Sequence, residues 1–394
     1  MEGVSLAGLL RVRHTGYLSR PARPQGRNTP TMIREFRPVS NRFAWLCPHR
    51  RRAFALGLLV CLLAGCAGPS RHEKRTGLRA GPSAGQTLQI RPRGGEAALI
   101  PANHHFLLAD GTTIPARVWP VTGRARARIL ALHGFGDSRD AWEFSAPCLA
   151  RQGIEVIAPD QRGFGETAHR GAWSGTARMV QDIREEARQL HAEAPDIPLF
   201  VMGESMGGAL AALLATDRPD GTTRGFILVS PAIWKLDPVS RLVVDMLDLI
   251  APEWIFTGAH APGEHIATDN IAALRRLYFD PLTLHGFRLD LLRGLIDLMA
   301  AGQKAAPHVR APLLVLYGDR DQMIPAPPMA RFWADLPQDS RKDLIPGGHH
   351  LLLRDRDGAR AVADIASWIL APDRLLPSGG DAAAAAWRAG DPAD

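Results

Sequence analysis

The chain has 394 residues, enough for one large α/β domain with an insertion or for two ordinary domains. Its formal net charge of +7 comes from residues 1–65, which hold 11 Arg, no Lys and 2 Glu. The rest of the chain has 36 basic and 38 acidic residues. This near-neutral balance excludes a broad basic face, so we expect no nucleic-acid partner.

The first predicted element is an export signal. Residues 50–52 (RRR) precede an apolar run at 53–65, which is short for a membrane span and has the length of a signal-peptide core. The run ends in residues 63–66 (LAGC), which resemble the bacterial lipoprotein box, whose cysteine is acylated and begins the mature protein. An ordinary signal peptide and an N-terminal anchor helix are the alternatives.

The lipoprotein box predicts a protein of the bacterial cell envelope, lipid-anchored through Cys66. Ala67, rather than Asp, follows this cysteine, and by the same resemblance this favours the outer membrane, facing the periplasm. Several acyl chains on one residue would give a lasting anchor. Residues 1–65 are then a leader, with Met32 as an alternative start. Residues 66–102, rich in Gly, Pro, Arg and Ser, are predicted to form a flexible tether.

Apolar strands alternate with amphipathic helices through most of the remaining chain. Strands are predicted at 105–109, 114–119, 128–132, 154–158, 198–202, 226–229, 313–317 and 342–345. The first two flank an Asp-Gly turn and should form a hairpin at a sheet edge. The alternation predicts an α/β fold with a mostly parallel, doubly wound sheet, which binds ligands at the carboxyl ends of its strands.

The alternation breaks between Ser230 and Pro312, where helical patterns occur without a predicted strand. Two sets of apolar residues there recur at helical spacing: Leu242, Met246, Leu249 and Ile250, and then Leu291, Leu295, Ile296 and Met299. We interpret this stretch as an inserted helical cap over the strand ends. The alternative is an insertion whose apolar stripes only bury themselves.

These patterns together predict the domain organisation. The core is expected at residues 103–233 and 310–371, and the helical cap at 234–309. Residues 372–394 contain five consecutive alanines and are predicted to form a disordered tail.

The stretch 203–208 (GESMGG) lies between the predicted strand at 198–202 and a predicted helix. A strand, a sharp turn and a helix, with a serine between two glycines, form a nucleophile elbow. The strained turn lifts the hydroxyl of Ser205 clear of the sheet, and side chains at positions 203 and 207 would collide with the neighbouring strand and helix. The helix N-terminus directs free N–H groups at a developing oxyanion.

With these features the chain resembles the α/β-hydrolases that carry a helical cap. It is most like the monoacylglycerol lipase and lysophospholipase group, to which serine aminopeptidases of the S33 type are related. The resemblance covers about residues 103–371 and rests on the elbow, on 133–136 (HGFG) and on 160–163 (DQRG). The group more often has a histidine where this chain has Glu204, and this departure leaves the nucleophile unaffected.

A serine hydroxyl needs a general base and an orienting acid, which in this fold follow the serine in the order acid, histidine. The resemblance places the acid at Asp321 in 318–325 (GDRDQMIP), with Asp319 as the second candidate. A simple helix-capping role for Asp321 is the alternative. The base is placed at His350 in 347–352 (GGHHLL), where neighbouring His349 should line the site or face solvent.

The remaining site residues also come from the resemblance. The oxyanion hole is assigned to the backbone N–H groups of Phe135 and Met206, with His133 holding the loop that contains Phe135. Paired histidines also occur in metal sites, but no acidic or cysteine ligand has a matching sequence spacing, so no metal is expected. Nothing in the sequence indicates a cofactor.

The sequence therefore predicts a serine hydrolase that cleaves carboxylic esters of lipid-like substrates, of monoacylglycerol or lysophospholipid type, through an acyl-enzyme on Ser205. Ser205 argues against membership in the groups of this fold that use an aspartate as the nucleophile. Two alternatives stay open, namely a peptidase of the serine aminopeptidase type and an inert hydrolase-fold lipoprotein of the envelope. The oligomeric state is not predicted.

Overall fold

The structure is a computed structural model that describes residues 99–257 and 265–390. The predicted leader, the lipidation site Cys66 and nearly all of the predicted tether lie outside the described residues. None of the helices in the described part of the chain has both the length and the apolar character needed to cross a bilayer.

Strands and helices alternate along most of the described chain. The strands are β1 (His104–Leu107), β2 (Thr113–Trp119), β3 (Ala127–Leu132), β4 (Ile154–Pro159), β5 (Leu199–Glu204), β6 (Gly225–Val229), β7 (Ile255–Thr257), β8 (Gly286–Arg288), β9 (Leu313–Gly318) and β10 (Arg341–Ile345). The α-helices are α1 (Ala146–Ala150), α2 (Thr176–Glu193), α3 (Met206–Leu214), α4 (Pro238–Ile250), α5 (Ile271–Phe279), α6 (Leu289–Ala305), α7 (Ala326–Asp335), α8 (Gly358–Leu370) and α9 (Gly380–Ala389).

An eight-stranded sheet forms the centre of the described residues, in the order β1-β2-β4-β3-β5-β6-β9-β10. The pairs β1–β2 and β2–β4 are antiparallel, and all the other pairs in this sheet are parallel. The predicted mostly parallel, doubly wound α/β sheet is confirmed, and so is the hairpin at its edge.

The central strand β5 illustrates why the sheet is buried on both faces. Leu199 and Val201 belong to one apolar cluster, whereas Phe200 and Met202 belong to the cluster on the opposite face. Successive side chains of a strand point to opposite faces, so a continuous apolar run requires cover on both sides. The carboxyl end of β5 leads directly into Ser205 and α3.

The insertion between β6 and β9 contains α4, α5 and α6, and it also contains a two-stranded antiparallel ribbon of β7 and β8. The sequence predicted no strand there. Each ribbon strand has three residues, which is too short to produce an alternating pattern. Phe287 in β8 anchors the ribbon, because its ring centroid lies 4.8 Å from that of Phe135.

The prediction of a disordered tail at 372–394 is wrong for its described part, since helix α9 occupies residues 380–389, and residues 391–394 lie outside the described residues. Trp387 packs on the core, with its ring centroid 5.0 Å from that of Trp333. Arg341 at the start of β10 also pairs with Asp381 at 2.7 Å. The alanine run therefore lies within an amphipathic helix that tertiary contacts hold in place.

Candidate active site

Ser205 stands at the strained turn between β5 and α3. Its φ of 53° and ψ of −111° lie in a region that non-glycine residues rarely adopt. A Cβ added at Gly203 would lie 2.1 Å from the carbonyl oxygen of Gly207. A Cβ added at Gly207 would lie 2.1 Å from the carbonyl oxygen of Leu132. Only glycine fits at these two positions, as the sequence predicted.

A hydrogen-bonded chain joins three of the predicted site residues. His350 Nε2 lies 3.0 Å from the Oγ of Ser205, and His350 Nδ1 lies 2.8 Å from Oδ2 of Asp321. An ionised carboxylate only accepts hydrogen bonds, so the proton of a neutral imidazole belongs on Nδ1. The Ser205 hydroxyl then donates to Nε2, which is the arrangement that a general base requires.

Two backbone groups orient the carboxylate of Asp321. Its Oδ1 accepts hydrogen bonds from the N–H groups of Met323 and Ile324, at 2.8 and 2.9 Å. Its other oxygen remains aimed at His350. The second candidate, Asp319, instead accepts a hydrogen bond from the N–H of Gly347 at 2.6 Å. The structure therefore brings Asp321, and not Asp319, together with His350.

The neighbouring histidine points elsewhere. His349 is buried, and its Nδ1 lies 3.3 Å from Oδ2 of Asp355, which also accepts a hydrogen bond from the His349 N–H at 2.7 Å. It neither lines the cleft at Ser205 nor faces solvent, contrary to the expectation from sequence. Adjacent residues of the loop thus serve two different carboxylates.

Charged neighbours control the protonation of His350. Burial alone would lower its pKa, but nearby carboxylates, Asp321 foremost, together outweigh burial and hold the pKa of His350 above its ordinary value. Glu204 favours the protonated ring in the same way, whereas Arg354 opposes it. The imidazolium that forms when Ser205 loses its proton is therefore stabilised where it stands.

The loop after β3 contains the predicted oxyanion residue Phe135, and His133 holds this loop. The N–H of Gln161 donates to His133 Nε2 at 3.0 Å, so the proton of the ring lies on Nδ1, which donates to the carbonyl of Gly134 at 2.8 Å. Burial lowers the pKa of His133, which keeps the ring neutral. The histidine supports the loop without contacting Ser205 Oγ through a hydrogen bond.

The residues that carry the predicted oxyanion donors lie next to Ser205. A Cβ placed on Gly134, the residue before Phe135, would lie 3.5 Å from the Cβ of Ser205, so this loop runs close beside the nucleophile. Met206 is the first residue of α3. In the part of the chain that the structure describes, no hydrogen bond engages the N–H group of Phe135 or of Met206.

The insertion completes a cleft over Ser205. The cleft is small and partly open, with a cavity volume of about 50 Å³. Its lining is mostly apolar and includes Leu277, Leu295, Met299, Met323 and Leu351. The insertion also bonds directly to two loops of the site, because the N–H of Leu284 donates to the carbonyl of Gly136 and the N–H of Leu351 donates to that of Ala267.

Sequence reasoning missed a buried ion cluster beside the elbow. Nη2 of Arg354 lies 2.6 Å from Oδ2 of Asp137 and 2.5 Å from Oε2 of Glu204. All three side chains are buried. Burial raises the pKa of Glu204, although the charge of Arg354 opposes this effect. Burial would lower the pKa of Arg354, but the carboxylates of Asp137 and Glu204 outweigh burial and raise it. The departure from the family pattern at Glu204 was the signal that could have revealed the cluster.

One group of side chains in the described residues brings metal-binding atoms within 4.8 Å of one another, namely Asp269, His349 and Asp355. This grouping does not follow sequence spacing. Hydrogen bonds already account for it, because Asp355 Oδ1 accepts from the Thr268 hydroxyl at 2.7 Å and Asp269 Oδ1 accepts from the N–H of Arg356 at 2.8 Å.

Sequence comparison identifies relatives over most of the described chain. A profile of the family described as serine aminopeptidase, S33, matches residues 123–357, more than half of the chain. The monoglyceride lipase of Rattus norvegicus is 26% identical over 258 residues, which cover 64% of this chain and 84% of the relative. The monoacylglycerol lipase of Mycolicibacterium smegmatis is 26% identical over 280 residues, which cover 68% of this chain and 97% of the relative.

Solved structures share the architecture. A soluble variant of monoglyceride lipase from Saccharomyces cerevisiae, in complex with a substrate analogue, matches with a TM-score of 0.58 at 21% identity, over 69% of this chain and 96% of that one. The monoacylglycerol lipase of Paleococcus ferrophilus matches with a TM-score of 0.56 at 22% identity, over 65% of this chain and 98% of that one. At these identities the likeness shows the fold, which is that of the α/β-hydrolases.

Proposed function

The chain belongs to the serine aminopeptidase, S33, family of α/β-hydrolases, and from this premise we propose that it is a serine hydrolase of lipid-like carboxylic esters. Its substrates would be of monoacylglycerol or lysophospholipid type, and the reaction would pass through an acyl-enzyme on Ser205.

One observation carries the proposal. The hydroxyl of Ser205, at the strained turn, bonds to His350, which in turn bonds to Asp321. A buried serine at an unfavourable backbone conformation costs free energy that a merely structural serine would not require. Such a constellation is recognised by its geometry and roles rather than by sequence position.

The reaction follows from this geometry. Ser205 Oγ attacks the ester carbonyl carbon while Nε2 of His350 accepts the hydroxyl proton. The N–H groups of Phe135 and Met206 receive the oxyanion of the tetrahedral intermediate. His350 then donates its proton to the departing alcohol, which leaves the acyl group on Ser205. Water, deprotonated by His350, attacks the acyl carbonyl, and collapse of the second intermediate releases the carboxylic acid and restores the serine.

The surroundings of the cleft support a lipid-like substrate. Its lining is mostly apolar, and relatives of this chain carry the names monoglyceride lipase and monoacylglycerol lipase. Helix α4 of the insertion also exposes large apolar side chains, among them Leu242, Met246, Leu249 and Ile250. An exposed apolar face of this kind suits work at a lipid surface.

We also propose that the chain is anchored to the bacterial outer membrane through acylated Cys66. The support is the sequence at residues 63–66 and the signal-peptide pattern before it, both outside the described residues. Substitution Cys66→Ser should leave an unprocessed precursor. Cell fractionation and the mass of the mature chain test this, and a Cys66→Ser protein that is processed and fractionates as the wild type would contradict the anchor.

Labelling with a fluorophosphonate probe tests the nucleophile. The wild type should be labelled at Ser205, and Ser205→Ala should not be. Ester hydrolysis is then measured over a series of acyl lengths, together with a monoacylglycerol and a lysophospholipid. Labelling without turnover of any ester would overturn the substrate class, and no labelling would overturn the serine hydrolase itself.

Peptide hydrolysis is the alternative that the family name suggests. An aminopeptidase requires a free acidic group to hold the substrate amine. Asp137 lines the cleft, but its carboxylate is paired with Arg354. Aminoacyl amides assayed beside esters of the same acyl length separate the two activities, and preference for the amides would favour the peptidase.

A further inference from the structure

A buried arginine joins three separate segments around the nucleophile. Arg354 belongs to the short 3-10 helix Leu352–Arg354 that follows His350, and it bonds to Asp137 and Glu204. Asp137 lies in the loop after β3, and Glu204 is the last residue of β5. One guanidinium thus connects chain segments that are 217 and 150 residues away in sequence.

Each of these segments carries one part of the proposed reaction. Asp137 stabilises the oxyanion loop, since its N–H donates to the carbonyl of Gly134 at 3.3 Å and its Oδ1 accepts from the N–H of Ser138 at 2.8 Å. Glu204 directly precedes Ser205, and its Oε2 lies 4.0 Å from the position of a Cβ on Gly134. The cluster therefore packs beneath the backbone that positions the nucleophile and the oxyanion loop.

We propose that Arg354 is a positioning residue, which holds the oxyanion loop, Ser205 and the His350 loop in register through its two carboxylate partners. This inference rests on the proposed hydrolysis at Ser205. Glu204, together with Asp137, supplies the negative charge that allows a cation to be buried here. The related group more often has a histidine at the position of Glu204.

The chemistry of the cluster favours this role over simple packing. A guanidinium offers donors in a rigid planar arrangement, so two carboxylates bonded to it are fixed in direction as well as in distance. Buried charges are costly unless they are paired, so loss of one member leaves an uncompensated group beside the site. Two members of the cluster also act on His350, because Glu204 raises the pKa of its ring and Arg354 lowers it.

Two charge-changing variants give a readout that loss of packing would not. In Glu204→Gln an anion near His350 disappears, so neutral His350 persists to lower pH and the acid limb of the rate profile should move down by about 0.5–1 unit. In Arg354→Met a cation disappears, so the limb should stay or move to higher pH. Arg354→Met should also lower kcat about 10²-fold with little change in KM, because misplaced donors are felt in the transition state.

The measured quantity is the rate constant of fluorophosphonate labelling of Ser205 as a function of pH, with kcat and KM on a short-chain ester expressed per labelled site. Labelling depends on His350 and not on the natural substrate. Failure of ester turnover with intact labelling would therefore contradict the proposed substrate and leave the positioning role testable.

Arg139→Met is the matched control, because Arg139 is also a buried arginine paired with two carboxylates, those of Asp160 and Glu166. It should lower the melting temperature without moving the acid limb. Arg354→Lys keeps the charge and should restore part of kcat, and with Glu204→Gln it tests the idea even if Arg354→Met does not fold. An unmoved limb in Glu204→Gln, or a limb that moves down in both charge variants, would overturn the inference.

Discussion

The carboxyl edge of the sheet and helix α4 of the insertion differ in how far their side chains are buried. Around Ser205 the polar side chains are buried and bonded to specific partners, and the apolar residues Leu291 and Leu295 of α6 are buried as well. On α4 the same helical spacing leaves Leu249 79% exposed and Ile250 75% exposed. Spacing thus predicts a helix, and the neighbouring element decides whether its apolar face is covered.

This contrast makes a general expectation. Changes at the carboxyl edge should affect every substrate, because they alter the reacting groups or the backbone that holds them. Changes on the exposed face of α4 should be small and should depend on the length of the acyl chain.

The largest effect is expected at the two adjacent histidines. His350→Ala should lower kcat by about 10⁴–10⁶, as Ser205→Ala should, because members of a triad act as a unit. His349→Ala should cost only about 10-fold, because this ring bonds to Asp355 and not to Ser205. The measurement is kcat on a short-chain ester, with folding checked by thermal melting. A crippled His349→Ala beside a nearly normal His350→Ala would show that the base has been assigned to the wrong histidine.

Two glycine-to-alanine substitutions should differ in their effect on stability. Gly207→Ala would push a methyl group to 2.1 Å from the backbone carbonyl of Leu132, which cannot move without the sheet, so the cost should exceed the usual 1–3 kcal/mol or so of overpacking. Gly302→Ala, in α6, would meet the Cβ of Ala209 at 3.2 Å. There the gain in helix propensity offsets the close contact, and we expect a change below about 1 kcal/mol.

Urea unfolding of both glycine variants measures this difference. The second variant is the control, since it adds the same methyl group to a helix that packs on α3. Equal losses of stability in the two variants would contradict the special demand of the turn at Ser205.

A buried carboxyl pair predicts a pH dependence of stability away from the site. Asp343 in β10 and Asp364 in α8 are buried together, and burial followed by the charge of Asp364 raises the pKa of Asp343 to about 8. Asp381 also raises this pKa, whereas Arg341 lowers it. An unfolded aspartate titrates near pH 4, so the folded chain holds a proton that the unfolded chain releases between about pH 4 and pH 8. The free energy of unfolding should therefore fall as pH rises through this range.

Substitution Asp343→Asn removes the titrating group and should raise the melting temperature at pH 8 by several degrees, a gap that narrows toward pH 4. The exposed Asp335→Asn is the matched control and should follow the wild type at each pH. If the melting temperatures of the wild type and Asp343→Asn differed by the same amount at every pH from 4 to 8, the pair would not hold this proton.

The smallest effect is expected on the exposed face of α4. Leu249→Asp should reduce hydrolysis of a long-chain ester about 10-fold relative to an acetyl ester, because the lost apolar contact serves only the long substrate. Leu375→Asp is the matched control, since Leu375 is 80% exposed and lies outside the insertion. Equal losses on both esters would indicate that α4 has no part in handling the acyl chain.

Much of the sheet and the chain of hydrogen bonds at Ser205 could be predicted from the sequence. Continuous apolar runs such as residues 198–202 predict a buried strand. The glycines on either side of Ser205 belong to a known turn motif, in which Gly203 is required by the turn itself and Gly207 by the neighbouring strand at Leu132. The positions of Asp321 and His350 came from the resemblance, since each follows a strand whose carboxyl end faces the elbow. Local pattern and family resemblance agree in these elements.

The elements that the sequence did not predict depend on distant partners. Arg354 meets its carboxylates across 150 and 217 residues, and no periodic pattern records such a pairing. Helix α9 has an alanine run that suggests low complexity, and its order comes from Trp387 packed on Trp333. The ribbon of β7 and β8 is too short for a pattern, and Phe287 fixes it through Phe135. In each case tertiary contact overrides local sequence.

Helix α9 also bears on the exposure of the last strand of the sheet. Strand β10 is the last strand of the eight-stranded sheet, so in the described chain it pairs on one side only, with β9. Unpaired strand edges attract other strands and promote aggregation unless a helix, a charge or a loop covers them. The pairing of Arg341 with Asp381 holds α9 close to this strand. Removal of the chain from residue 380 onward would therefore expose the unpaired edge of β10 and the aromatic surface that Trp387 covers. The truncated protein should tend to self-associate even with its catalytic groups intact.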